Sequence, residues 1–201
     1  RAFCKDKPHI FYMADLGTET ASLAEFTRQI SRFVFNASEA ISPFSSWDAA
    51  FEFLANQSSQ ERLVVVIDEF TYLINANDSV PSILQRLWDT RLQHTQLMLI
   101  LCGSYVGMME QHVLAYRAPL YGRRTAQWQL QPLTFWNASL LLPGYSVDDL
   151  VRTYAILGGV PAYLHQFDAG DISVDEAKRV LANITKNILT QGHFLHDEPR
   201  F

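Results

Sequence analysis

The sequence predicts an α/β fold, a parallel sheet with helices, followed by a small all-helical domain. Short apolar runs alternate with longer amphipathic ones, which is the usual succession of strands and helices in α/β proteins. The run LVVVID at 63–68 is apolar up to its last residue and mostly β-branched, as expected of a strand buried on both faces. After Pro132 only helical patterns follow, which predicts a boundary between an α/β part, 1–133, and a helical part, 134–201.

The composition fits a chain with a sizeable core and argues against a nucleic-acid-binding surface. Hydrophobic residues make up 48% of the 201 residues, and the formal net charge is −5. Lysines and arginines form no stripe, whereas a nucleic-acid-binding domain is normally basic. Cys4 and Cys102 are far apart and lack metal-ligand spacing, which fits a protein of the reducing cytoplasm. No apolar run approaches the roughly 20 residues of a membrane span.

Within the α/β part, strands are predicted from continuous or alternating apolar runs, and helices from apolar residues three or four apart. Leu23, Phe26 and Ile30 have helical spacing, and Ser46 precedes a second amphipathic stretch as an N-cap. QLMLILCGS is a second buried strand, whereas the polar alternation of AQWQLQPL indicates a strand at a sheet edge. The predicted strands are 9–15, 63–68, 96–104 and 126–133, and the predicted helices are 20–35, 47–55, 80–94 and 106–114.

The helical part is divided by glycines, prolines and one polar turn. Pro143 and Gly144 end its first helix, Gly158 and Gly159 end its second, and a turn at 168–171 precedes its last. The predicted helices are 134–142, 146–157, 160–166 and 173–191.

Two adjacent carboxylates, Asp68 and Glu69, lie at the carboxyl end of the buried strand 63–68. Open parallel sheets bind ligands outside the carboxyl ends of their strands, where this strand places both carboxylates. Adjacent carboxylates are costly there unless a cation or a reacting water uses them. In a nucleotide triphosphatase Asp68 would hold magnesium and Glu69 would take a proton from the attacking water. The alternative is the acidic first turn of a helix, which the helix dipole favours.

A small polar residue, Ser104, ends the next predicted strand, which comes about 30 residues after the strand at 63–68. In a nucleotide triphosphatase this position places a hydrogen-bonding side chain beside the γ-phosphate and the water, with backbone N–H groups after Gly103 as extra donors. The alternative is an N-cap of the following helix, a role that serine fills well. The two strands in this order favour the triphosphatase interpretation.

Two further segments carry residues suited to phosphate chemistry. Arg123 and Arg124, in LYGRRT, precede the last predicted strand, and an arginine near phosphates can neutralise charge that develops in phosphoryl transfer. The alternative for each is a solvated basic turn. Gly159 and Pro161, in GGVP, form a rigid turn that permits close approach of another group, or a simple joint between two helices.

The ordered set LVVVIDEF, LILCGSYVGMM, PLYGRRT, LQPLTF, YAILGGVPAYL and FLHDEPRF closely resembles the prokaryotic AAA+-like ATPases of the archaeal-ATPase type. These are P-loop proteins related to the STAND signalling ATPases, and the resemblance covers residues 8 to 201. It implies a P-loop NTPase-type parallel sheet with a C-terminal helical lid, and ATP and Mg²⁺ as ligands.

The resemblance also implies roles for individual residues. Asp68 matches the Walker B magnesium residue and Glu69 the catalytic glutamate, while Ser104 matches the sensor position. Arg123 and Arg124 fall in the Gly-Arg-Arg segment that faces the phosphates. Gly159 and Pro161 match the lid turn that touches the bound nucleotide in STAND proteins.

One departure from the family pattern is large, because no G-x-x-x-x-G-K-[ST] phosphate-binding loop occurs in these 201 residues. We therefore expect the chain to be an internal fragment, with this loop and its strand upstream of Arg1. The sheet should then have a gap between the strands at 126–133 and 97–103. We also expect these residues alone to bind ATP very weakly or not at all.

Three hypotheses of function follow. The first is a fragment of an ATP-hydrolysing enzyme, and the second is a slow nucleotide-dependent switch whose helical domain regulates a downstream module. The third is a non-enzymatic interaction module that retains the fold. Full-length members of the family typically continue into a winged-helix domain, so a protein or DNA partner and oligomerisation are expected to depend on other parts of the protein.

Overall fold

A computed structural model describes residues 2–35, 41–167 and 176–197, with 176 and 177 described by their backbone alone. The chain divides between Gln127 and Trp128 into two compact units. The turn expected at 168–171 and the first three residues of the helix expected at 173–191 lie outside the described residues. No helix among those described is long and apolar enough to cross a membrane.

The first unit contains a parallel sheet of three strands in the order β1-β2-β3. β1 is His9–Met13, β2 is Leu63–Asp68 and β3 is Leu97–Leu101. All three agree with predicted strands. β2 lies in the centre and is buried from Leu63 to Ile67, as its continuous apolar run predicts. Within the described part of the chain, β3 pairs with β2 alone and leaves its other edge open.

The described part of the first unit contains the four predicted helices, two of which change type near their ends, and one helix that was not predicted, at Phe70–Ala76. They are α1 Glu19–Phe35, α2 Trp47–Gln57, α3 Phe70–Ala76, α4 Val80–Thr90 and α5 Val106–Met109. 3₁₀ turns lie at Ala2–Cys4 and Leu92–His94, and α5 continues as a π-helical turn at Glu110–Leu114. Ser46 caps α2 as expected, since its hydroxyl oxygen accepts a hydrogen bond from the N–H of Ala49 at 3.2 Å.

Aromatic side chains join α1 and α2 to one face of the sheet. Phe26 of α1 is fully buried, and its ring centroid lies 5.2 Å from Tyr12, 5.4 Å from Trp47 and 5.9 Å from Phe51. Burial of each large side chain of this kind contributes about 1.5–3 kcal/mol to stability. Small residues, Cys4, Val64 and Val66, form the core on the other face. The central strand is therefore held rigidly, with its carboxyl end emerging from a packed core.

The strand predicted at 126–133 is wrong. This segment has no strand structure, and Trp128 and Leu130 are each 86% exposed. Alternation of polar and apolar residues favours a strand only when a neighbouring strand supplies ladder hydrogen bonds. Among the described residues no strand pairs with this segment, so it does not form a strand despite its alternating pattern.

The second unit is helical, as predicted. Its helices are α6 Phe135–Ser139, α7 Val147–Leu157, α8 Pro161–Leu164, α9 Glu176–Ile184, which continues as a π-helical turn at Thr185–Leu189, and α10 Phe194–Asp197. Its core includes Leu142, Leu164 and Phe167. Ser146 caps the start of α7, where its side chain accepts a hydrogen bond from the N–H of Asp149, and Gly158 follows the last residue, with a φ of 64° that suits glycine.

Candidate functional site

The carboxyl ends of β2 and β3 meet at one edge of the sheet and are tied together beyond the strands. Ile67 lies beside Leu101 in the register, and the N–H of Cys102 donates to the carbonyl of Ile67 at 2.9 Å. The N–H of Phe70 donates in turn to the carbonyl of Cys102 at 2.8 Å. These bonds hold the two segments that follow the strands side by side, so their side chains have fixed relative positions.

Glu69 and Ser104 are in direct contact at this edge. The hydroxyl of Ser104 donates to Oε2 of Glu69 at 3.0 Å, and its backbone N–H donates to the same oxygen at 3.3 Å. Hydrogen bonds to a carboxylate are stronger than those between neutral groups. Neither residue caps a helix with its side chain, since α3 has no side-chain cap at Glu69 and the N-cap of α5 is Tyr105. The N-cap alternative for Ser104 is therefore not what the structure displays, whereas Glu69 does precede α3 directly, as the helix-start alternative for the two carboxylates requires.

The backbone of Glu69 is strained. Its φ of 51° and ψ of 44° lie in the left-handed region, and it is the one non-glycine residue with positive φ in the described ranges. This conformation costs an ordinary residue about 1–2 kcal/mol and is found chiefly at functional sites. The strain accompanies the turn from β2 into α3, from which the side chain of Glu69 reaches Ser104.

Asp68 is half-buried and oriented by its neighbours. Its Oδ1 accepts a hydrogen bond from the N–H of Glu69 at 3.1 Å, and its backbone carbonyl accepts one from the N–H of Ala14 at 2.9 Å. No partner of Oδ2 is found among the described residues. Mg²⁺ is commonly held by one or two carboxylates together with substrate phosphates and water. One oriented carboxylate beside a second one fits that mode, whereas the described residues include no cluster of three or more ligands for a self-contained metal centre.

Small and neutral groups lie beneath this edge. Burial raises the pKa of the Cys102 thiol, and the carboxylate of Asp68 raises it further, so the thiol stays protonated beside the two acids. A Cβ on Gly103 would lie 3.0 Å from the side chain of Met109 and 3.3 Å from Thr71. Glycine at this position therefore lets the chain after β3 pass close to α3 and α5 on its way to Ser104.

The two arginines have different partners, and neither contacts Asp68, Glu69 or Ser104 in the part of the chain that the structure describes. Arg123 makes a two-pronged ion pair with Asp89 of α4, from Nε to Oδ1 at 2.8 Å and from Nη2 to Oδ2 at 2.7 Å. Asp89 was missed by sequence reasoning because it lies 34 residues from its partner, in a helix with no motif. The two-pronged hydrogen bond lowers the pKa of Asp89 and raises that of Arg123.

Arg124 is exposed and more loosely held than Arg123. Its Nη1 donates to the carbonyl of Leu114 at 3.1 Å, and its guanidinium carbon lies 5.5 Å from the centre of the Tyr121 ring. It borders an open cavity of about 480 Å³, whose wall also includes Glu110, Gln111 and Gln127.

Gly159 and Pro161 lie in the second unit, where they shape the turn between α7 and α8. The carbonyl of Gly159 accepts a hydrogen bond from the N–H of Leu133 at 2.7 Å, and a Cβ on Gly159 would lie 1.9 Å from the carbonyl oxygen of Leu133. Pro161 is at the first position of α8, where a missing N–H costs nothing. The close approach predicted for this turn is thus made by the backbone at Leu133.

Comparison with known proteins identifies the family of this chain. The model of an ATPase domain found predominantly in Archaea matches residues 4–167, which include both halves of the β2–β3 edge and the turn at Gly159. An uncharacterised protein of Methanocaldococcus jannaschii is 32% identical over 162 residues, covering 81% of this chain and 34% of that protein. A second uncharacterised protein of the same organism is 43% identical over 54 residues, covering 27% of this chain and 52% of that protein.

A solved structure has a similar fold. A Walker-type ATPase of Pyrococcus abyssi superposes with a TM-score of 0.65 over 90% of this chain and 61% of that protein, with 20% sequence identity. The chain spans about a third of the first curated relative, about half of the second and about three fifths of the solved structure.

Proposed function

Because this chain belongs to the family of ATPase domains found predominantly in Archaea, we propose that it provides the magnesium- and water-binding half of an ATP-hydrolysing site. In this proposal β2 is the Walker B strand of an AAA+-like P-loop ATPase related to the STAND proteins. Ser104 is its sensor residue, and the second unit is its helical lid. ATP and Mg²⁺ are the ligands.

The contact between Ser104 and Glu69 is the observation that carries this proposal. It joins a carboxylate and a hydroxyl at the carboxyl ends of two adjacent parallel strands, the place where such sheets bind ligands. Structural roles alone explain it poorly, since neither side chain caps a helix and the backbone of Glu69 is strained. Strain that persists at a ligand-binding edge supports a functional role.

Each residue at the edge has a part in hydrolysis. Asp68 would hold a magnesium ion through the oxygen that the N–H of Glu69 does not occupy, and the ion would supply positive charge to neutralise the phosphates. Glu69 accepts a proton from the attacking water through the oxygen that Ser104 does not occupy. The backbone N–H of Ser104 orients the carboxylate of Glu69, and its hydroxyl turns from Glu69 to the γ-phosphate when nucleotide is bound. The backbone N–H groups that follow β3 add donors near the same position.

The remaining site residues are proposed to act on the phosphates and on the lid. Arg123 and Arg124 belong to the segment that faces the phosphates, and Gly159 and Pro161 form the lid turn that senses the nucleotide. The close packing of Gly159 against Leu133 supports a rigid turn. Such a turn would transmit nucleotide state to the helices of the second unit.

We further propose that the phosphate-binding loop lies in a part of the protein outside these 201 residues, which contain no such motif. The open edge of β3 is the position for the strand that precedes this loop. β3 has apolar residues packed on both faces, Leu99 and Leu101 on one and Met98 and Ile100 on the other, as an interior strand of a sheet does. The proposal places the protein in the cytoplasm, where its two free thiols stay reduced.

Turnover and nucleotide binding by a Glu69→Gln variant test the proposal in the protein that includes the phosphate-binding loop. We expect phosphate release to fall by about 10²–10⁴-fold, while binding of a fluorescent ATP analogue with Mg²⁺ is retained. Glu61→Gln, an exposed carboxylate just before β2, is the matched control and should turn over normally. Unchanged turnover by Glu69→Gln would refute the proposed role.

The 201 residues by themselves give a second test. Calorimetry should detect very weak binding of Mg-ATP or none, since these residues contain no phosphate-binding loop motif. Micromolar affinity of this chain for ATP would contradict the placement of the loop outside it.

A further inference from the structure

Arg123 and Arg124 are adjacent in sequence, yet their guanidinium groups differ in how many donors are already used. A guanidinium has five N–H donors, and binding a phosphate requires an unoccupied pair of them. For Arg123, Nε and Nη2 bond to Asp89, and Nη1 donates to the carbonyls of Pro119 at 3.0 Å and Tyr121 at 3.1 Å. Four of its five donors are therefore occupied within the protein.

Arg124 keeps most of its donors available. Its Nη1 bonds to Leu114, and no partner of its Nε or Nη2 is found within the described residues. The side chain is exposed and stacks against Tyr121, which limits its motion without using a donor. An open cavity adjoins it, so an anionic group has access to the free side of the guanidinium.

Asp89 fixes the segment from which Arg124 extends. It lies near the end of α4, a helix anchored in the core by Leu84 and Leu87. The two-pronged pair with Arg123, together with the bonds of Arg123 to Pro119 and Tyr121, attaches the 119–124 segment to that helix. Hydrogen bonding from Arg123 lowers the pKa of Asp89, so the pair stays charged at neutral pH.

We propose that Arg124 is the arginine that contacts the phosphate groups of the nucleotide, and that Asp89 is a positioning residue that acts through Arg123 to orient it. This inference rests on the proposed ATPase function and divides the Gly-Arg-Arg segment into two roles. Arg123 is a structural anchor, and Arg124 is the phosphate ligand. Glu110, the carboxylate in the cavity wall, opposes the approach of an anion and tunes the affinity for it.

The test compares single variants of the full protein by turnover, nucleotide affinity and thermal unfolding. Arg124→Ala should lower kcat by about 10³-fold, the lower end of the range known for transition-state arginines, with no change in melting temperature. Arg117→Ala removes an exposed arginine close in sequence and is the control that should leave kcat unchanged. Glu110→Gln should tighten binding of Mg-ATP a few-fold, because it removes the opposing charge.

Asp89 is tested by a conservative rescue. Asp89→Asn should lower kcat about tenfold at temperatures well below the melting point while KM for ATP changes little, and Asp89→Glu should restore most of the loss. A purely structural Asp89 would instead lower the melting temperature and leave kcat at low temperature unchanged, which would overturn its positioning role. Normal turnover by Arg124→Ala together with inactivity of Arg123→Ala would overturn the division of roles.

Turnover by Glu69→Gln distinguishes a failure of the roles given to Arg124 and Asp89 from a failure of the ATPase proposal. If Glu69→Gln abolishes turnover but Arg124→Ala does not reduce it, the inference alone is overturned. If Glu69→Gln turns over normally, the proposed function fails and the inference fails with it.

Discussion

Oε2 of Glu69 accepts two hydrogen bonds from Ser104, from its hydroxyl at 3.0 Å and from its backbone N–H at 3.3 Å. Because a single oxygen receives both, the other carboxylate oxygen remains available for a water molecule. The hydroxyl of Ser104 has one proton to donate. It can therefore hold Glu69 or serve the γ-phosphate, but it cannot donate to both at once. The backbone N–H of Ser104 keeps Glu69 oriented when the hydroxyl changes partner.

Replacement of Ser104 tests this arrangement. Ser104→Ala should reduce kcat of the full protein by about 10- to 100-fold. The reason is that a hydrogen bond from a hydroxyl to a charged group contributes about 1.5–3 kcal/mol. Ser104→Thr retains the hydroxyl and should keep most of the activity. Phosphate release at saturating ATP is the measurement. Equal activities of the alanine and threonine variants would show that the hydroxyl has no catalytic part.

The left-handed backbone of Glu69 should lower the free energy of unfolding, and replacement by glycine should relieve this strain. Both Glu69→Ala and Glu69→Gly lose the bonds to Ser104, but only glycine relieves the left-handed backbone. Glu69→Gly should therefore be more stable than Glu69→Ala by about 0.5–1 kcal/mol, measured by urea unfolding of the 201-residue chain. Both variants should be inactive in the full protein. A glycine variant less stable than the alanine variant would contradict the strain.

Gly159 should tolerate no side chain. A Cβ there would lie 1.9 Å from the carbonyl oxygen of Leu133, so Gly159→Ala must displace the backbone of one segment. We expect a loss of about 3 kcal/mol or more, or failure of the second unit to fold. Gly107→Ala is the matched control, because that glycine is exposed in α5 and its Cβ would meet one atom at 4.0 Å. Thermal unfolding should show the control unchanged or slightly stabilised.

Much of the α/β core could be predicted from the sequence because local pattern and tertiary environment agree there. The run at 63–67 is apolar throughout because β2 is buried on both faces there. Parallel pairing places the ends of β2 and β3 at one edge, so the proximity of Asp68, Glu69 and Ser104 follows from strand order alone. The chemical roles of these residues remain proposals.

Other features depend on contacts that no local pattern encodes. The left-handed backbone of Glu69 results from the connection between β2 and α3, whereas glutamate by itself disfavours that conformation. Arg123 pairs with a residue 34 positions away, and the partner of Gly159 lies 26 positions upstream at Leu133. The alternation at 126–133 predicted a strand, but a strand also needs a neighbour to pair with.

The buried hydroxyl of Tyr12 should make the stability of the first unit depend on pH in the alkaline range. Burial is the main reason that the pKa of Tyr12 is raised to about 12; Ser22 lowers the pKa, and the carboxylates of Asp15 and Glu25 contribute to raising it. A tyrosine in the unfolded chain titrates near 10, so the folded state binds more protons between these values. The stability that Tyr12 contributes is thus complete below pH 10 and is lost as the pH rises toward 12.

Tyr12→Phe isolates this contribution because it keeps the ring contact with Phe26 and removes the ionisable hydroxyl. The free energy of unfolding of the wild-type chain should fall between pH 10 and 12, and that of Tyr12→Phe should fall less steeply, as measured by urea unfolding. Tyr105→Phe, at an exposed tyrosine, should behave as the wild type. If the two tyrosine variants have the same pH dependence, Tyr12 does not ionise on unfolding, and the high pKa assigned to its buried hydroxyl is wrong.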